Sequence, residues 1–131
     1  MIEDSIFTKI IKGEIPCHKV YEDKTTIAII PLHPIAIAEV LVIPKKQIDR
    51  FFELPDKDYQ DLMTVVKKVA ARMQKVFNTK RVGLQTIGLH IAHCHIHVVA
   101  FNTYEEYLEV ADESLSVDHE RLAKIARKLA F

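Results

Sequence analysis

The chain has 131 residues, with an apolar fraction of 49% and a charged fraction of 27%, the size and balance of one ordinary globular domain. Its 18 basic and 18 acidic residues cancel, so no basic field is available for nucleic acid. No apolar run approaches the roughly 20 residues of a membrane span. The acidic start Glu3-Asp4 is unlike a secretory leader, and Cys17 and Cys94 make no CxxC pattern, so a reducing cytoplasm is the expected compartment.

In chain order, residues 5–12 carry Ile6, Phe7, Ile10 and Ile11 at the spacing of a short amphipathic helix, which Gly13 ends. Residues 18–22 predict a short strand, and 25–30 a second one rich in β-branched residues and closed by Pro31. Residues 38–43 are a third apolar strand, stopped by Pro44. Asp56 is the expected N-cap of a long helix over 57–77, whose Leu62, Val65, Val66, Val69, Met73, Val76 and Phe77 form one apolar stripe. Residues 81–87 and 91–101 read as two strands joined tightly around Gly88, and 118–129 as a last helix. The two late strands are too close for a crossover helix, so they pair antiparallel, and the fold class is α+β in a single domain.

Four of the seven histidines fall within residues 90–97. On a strand, His93, His95 and His97 share one face, about 7 Å apart along the backbone, while Cys94, Ile96 and Val98 face the core. An isolated strand histidine is usually a satisfied polar residue, but three in alternation need three sets of partners, which stability alone does not call for. A metal site is a second reading, because neutral imidazole is a good zinc ligand. Nucleophilic catalysis at phosphorus is a third. Neutral imidazole attacks without a strong base, one ring nitrogen being fixed by an acceptor and the other facing the substrate, while neighbouring imidazoles steady the phosphoryl oxygens.

The run His93-Cys94-His95-Ile96-His97-Val98-Val99 is similar to the signature of the histidine triad (HIT) superfamily. Residues 6–16, Ile-Phe-Thr-Lys-Ile-Ile-Lys-Gly-Glu-Ile-Pro, resemble the N-terminal segment of its nucleoside phosphoramidase branch. Residues 40–46, Val-Leu-Val-Ile-Pro-Lys-Lys, resemble the strand that follows its first histidine. The resemblance implies a five-stranded antiparallel sheet, a homodimer, and a nucleotide-type substrate, with no cofactor. It implies that His95 attacks the α-phosphorus and forms a nucleotidyl-imidazole, that His93 and His97 contact phosphate, and that the His93 carbonyl fixes the His95 tautomer. Ile6, Phe7, Ile10, Ile29 and Leu32 take the places that line the family's purine pocket.

Several positions depart from the family pattern. Glu39 replaces the first histidine, where it would accept a hydrogen bond from His97 or His95 and favour the protonated form of that ring. Pro31 takes the place of the ribose-binding aspartate and offers no side-chain acceptor. Leu89 and His90 replace a Gln-Ser pair, leaving His90 as the candidate phosphate contact there, with Gln85 or Thr86 as substitutes for a missing asparagine. Some bacterial relatives hold structural zinc at places that here read Ser5, Thr8 and Gln47, so no metal is expected. His18, His33 and His119 show no partner pattern. The sequence thus supports a nucleotide-conjugate hydrolase working through His95. A weakened nucleotide-binding or interaction module and a metal site on the histidine row stay open beside it.

Overall fold

The computed structural model describes residues 2–131. Its elements in chain order are α1 (Ile6–Ile11), β1 (His18–Glu22), β2 (Thr26–Ile30), β3 (Ala38–Pro44), a 3-10 turn (Phe51–Glu53), α2 (Asp56–Phe77), β4 (Arg81–Gln85), β5 (Ile96–Phe101), α3 (Tyr104–Tyr107) and α4 (His119–Leu129). The strands form one five-stranded sheet in the order β1-β2-β3-β5-β4, with every neighbouring pair antiparallel. The α+β class and the sheet expected from the sequence are what the chain forms. Among the described residues no helix is long and apolar enough to cross a membrane.

Strand alternation divides the interior in two. Ala28 and Ile30 of β2, Val40 and Val42 of β3, and Ile96, Val98 and Ala100 of β5 face α2 and α4. There they meet Leu62, Val65, Val66, Val69 and Met73, and Leu122, Ile125 and Leu129. Burying each of the Val, Leu, Ile and Met side chains contributes about 1.5–3 kcal/mol. The other face of β2 and β3 carries Ile27, Ile29, Leu41 and Ile43, which Phe7 of α1 covers. The site forms on this second face.

Three expectations are corrected. Asp56 is the first residue of α2, not its cap; Pro55 holds the capping position in extended conformation, and Asp56 and Asp58 lie in the first turn, where carboxylates suit the helix dipole. Pro44 does not stop β3 but ends it inside the ladder, opposite Thr26. The link from β4 to β5 is not a tight turn: pairing begins only at Gln85 opposite His97, and residues 86–95 form an irregular connection. Cys94 accounts for this, because its N–H donates to the Ile48 carbonyl at 2.7 Å and not to β4.

Candidate active site

Of the three alternating histidines only His97 lies within β5; His93, at a bend, and His95 sit in the irregular segment leading into it. Their side chains still gather on the Phe7 face. The Phe7 ring meets His93 and His95 edge-on, with centroids 5.7 and 4.9 Å apart, and the His95 and His97 rings are 4.9 Å apart.

His95 is 7% exposed. Its Nδ1–H donates to the His93 carbonyl at 2.8 Å. A carbonyl only accepts, so the proton of the neutral ring resides on Nδ1 and Nε2 keeps its lone pair. Burial holds the His95 pKa below the ordinary 6.5, against the opposing pull of the carbonyl bond. The ring is therefore neutral near pH 7, with an unprotonated nitrogen.

His97 Nδ1 lies 2.6 Å from Glu39 Oε2, and the other carboxylate oxygen accepts from the Ile35 N–H at 3.1 Å. Glu39 is 5% exposed, so it is a buried carboxylate bound to the row. This answers the sequence question of which histidine it meets: His97, not His95. His97 Nε2 is buried without a hydrogen-bond partner among the described residues. Buried polar atoms are rarely left so. Just before β3, Ala36 holds φ at 56°, a left-handed conformation that costs a non-glycine residue about 1–2 kcal/mol.

His93 is placed differently from its expected role. It has no exposed surface. Its Nε2–H donates to the Pro44 carbonyl at 2.7 Å, and its Nδ1 lies 2.6 Å from Ser5 Oγ. With both nitrogens engaged inside the protein, the ring has none left for a phosphate oxygen, and the expected phosphate contact by His93 is corrected. Its carbonyl, not its ring, meets His95.

The remaining candidates are dispersed. His90 lies on the exposed connection, and among the described residues no hydrogen bond ties it to the row. Gln85 donates one amide N–H to the Tyr107 carbonyl at 3.0 Å, which ties its side chain to α3. Of the expected purine-pocket residues, Phe7 and Ile29 are buried core, Ile10 packs against them, and Ile6 and Leu32 are 45% and 49% exposed. Lys45 pairs with Glu22 and Lys46 with Asp58. His18 and His119, taken from sequence as partnerless, bond each other at 2.9 Å, and His33 reaches the Leu115 carbonyl.

Ser5, Thr8 and Gln47 converge on His93. Thr8 Oγ1 donates to Gln47 Oε1 at 2.6 Å, the Ser5 N–H donates to the same oxygen at 2.8 Å, and Thr8 Oγ1 lies 3.5 Å from His93 Nδ1. Hydroxyl and amide oxygens are poor matches for zinc, which prefers thiolate and imidazole at structural sites. These residues do not fit a structural zinc. The sequence grouped these three residues but not His93 with them, because Ser5 and His93 are 88 positions apart.

A small sheet that presents a neutral, tautomer-fixed histidine beside a second imidazole defines a class of histidine-row proteins. The HIT domain family matches residues 12–103, and the chain belongs to that family. It is 34% identical over 133 residues to the adenosine 5'-monophosphoramidase of Candida albicans, with 95% of this chain and 88% of that one covered. It is 35% identical over 98 residues to an uncharacterised HIT-like protein of Methanocaldococcus jannaschii, with 72% and 76% covered. A crystal structure of a HIT-like protein from Bartonella henselae superposes with a TM-score of 0.85 at 25% identity, covering 98% and 96%.

Proposed function

We propose that this protein hydrolyses a nucleotide conjugate, a nucleoside phosphoramidate or nucleotidyl ester, through a covalent nucleotidyl-histidine on His95. The observation that carries this reading is the His95 tautomer: Nδ1–H held by the His93 carbonyl, Nε2 unprotonated in a buried ring. The Nε2 lone pair forms the bond to phosphorus as the P–N or P–O bond breaks, and the departing amine or alcohol takes the electron pair and one proton from His97 Nε2, which the attacking water of the second step returns. Water then attacks the phosphorus, releasing a nucleoside monophosphate and restoring neutral His95. With Glu39 accepting from His97 Nδ1–H, the unpartnered His97 Nε2 is the remaining hydrogen-bonding position beside the reacting group, donating to the departing atom when it carries a proton and accepting from the attacking water when it does not.

The phosphoramidase name of the Candida albicans relative supports a P–N substrate. A metal reading is less well served, because with His93 engaged the row has only His95 and His97 nitrogens to offer. A homodimer belongs to the same proposal: β4 is a sheet edge, and Leu84 on it is 44% exposed. Light scattering tests that part directly.

The activity is tested on a panel of adenosine phosphoramidate, dinucleoside polyphosphates and sugar nucleotides. Wild type is expected to turn over at least one of them, and His95→Ala to lose about a thousandfold or more in kcat. Wild-type activity in His95→Ala overturns the proposal.

A further inference from the structure

Ser5, Thr8, Gln47 and His93 form a closed hydrogen-bonded cluster whose proton positions follow from its acceptors. The Pro44 carbonyl requires a proton on His93 Nε2. Burial lowers the His93 pKa, so the ring is neutral and its Nδ1 is an acceptor. The Ser5 hydroxyl, 2.6 Å away, must then donate to it. With its proton spent, Ser5 Oγ accepts from the Thr8 N–H at 3.0 Å, which caps α1. Gln47 Oε1 receives both the Thr8 hydroxyl and the Ser5 N–H, and Gln47 Nε2 donates to the Glu3 carbonyl at 2.7 Å. Each of these donors has an acceptor, and the protons have one consistent arrangement.

We infer that Ser5, Thr8 and Gln47 are a metal-free clamp that positions the catalytic machinery through His93. The clamp holds the His93 ring, and the peptide carbonyl of that same residue holds His95 Nδ1–H at 2.8 Å. Gln47, in the segment after β3, is thereby linked through Ser5 and His93 to the His95 tautomer. The clamp also anchors the start of α1, which sets Phe7 edge-on against both rings. A neutral cluster does this without placing a charge beside a ring that must stay neutral. Ser5, Thr8 and Gln47 are positioning residues: Ser5 and Thr8 lie against His93 and Gln47 holds those two, none of them meeting the reacting atoms.

The kinetic part of this inference rests on the proposed role of His95, and the spectroscopic part does not. The experiment compares full-length wild type with Ser5→Ala, Ser5→Thr and Gln47→Leu by imidazole nitrogen NMR and by kcat and KM on adenosine phosphoramidate. In Ser5→Ala and Gln47→Leu the His93 and His95 ring signals are expected to move or broaden. kcat falls by about tenfold, the scale of one neutral hydrogen bond, with KM little changed. Ser5→Thr keeps the hydroxyl and restores both readouts. Gln47→Leu leaves the α1 cap in place, so it separates the clamp from helix fraying. Unchanged ring signals in both Ser5→Ala and Gln47→Leu overturn the clamp. If His95→Ala proves fully active, the proposed function fails while the ring signals still decide the clamp.

Discussion

At the residue scale the row divides into unequal parts. His95 has a fixed tautomer and a free nitrogen, His97 has a carboxylate behind it and an open nitrogen in front, and His93 is consumed by the scaffold. Glu39 therefore does more than fill a strand position. It fixes the His97 proton on Nδ1 and ties down the strained turn at Ala36 through the Ile35 N–H. Glu39→Gln replaces a carboxylate that accepts two donors by an amide with one acceptor, leaving a buried mismatch. The expected loss in kcat is about ten- to a hundredfold, the range of a hydrogen bond to a charged group. Glu39→His, which restores the residue suggested by the family resemblance, is expected to recover part of it. Wild-type steady-state rates in Glu39→Gln would show that the pair is only structural. None of this division was legible in the alternation pattern, which treats three histidines as equivalent. The pattern placed the three residues on one face, but the Cys94 bond to Ile48 and the Pro44 carbonyl come from distant chain segments.

At the scale of elements, the long signals were readable and the short ones were not. α2 announces itself because Leu62, Val65, Val66, Val69 and Met73 repeat at helical spacing and are all buried. α3 has no apolar stripe, only Tyr-Glu-Glu-Tyr, yet it forms because Thr103 and Glu106 make a capping box. That motif is written in the sequence and was the available clue. Tyr107 of α3 lies over β4, where an added Cβ at Gly83 would stand 2.7 Å from the ring. Gly83→Ala must therefore displace Tyr107, which also bonds the Leu84 carbonyl. We expect a loss of about 1–3 kcal/mol in unfolding free energy, measured by urea titration, as for other overpacked sites. A stability equal to wild type would mean that α3 yields freely and does not brace the β4 edge.

At the scale of the whole molecule, the sheet separates a scaffold face covered by α2 and α4 from a working face carrying α1 and the histidines. Seating imidazoles on the buried working face links stability to pH. The His93 and His95 pKa values lie below 6.5, chiefly through burial, and His18 shifts the same way. In the window between the folded values and 6.5 the unfolded chain binds protons that the folded chain refuses. Their contribution is thus complete above the unfolded value and is lost as pH falls through the folded ones. Glu22 and Asp23, also lowered, act in the same direction at more acid pH. Urea midpoints are expected to decline on acidification from about pH 7 to about pH 5. Midpoints that hold level or rise would contradict the buried neutral rings.

The most direct measurement is rapid acid-free quenching of wild type during turnover of adenosine phosphoramidate, followed by mass mapping of any phosphorus adduct. A nucleotidyl group on His95 that builds up and decays within a turnover, and that is absent in His95→Ala, is the predicted result. Sustained turnover with no adduct on His95, or an adduct on another residue, would contradict the account.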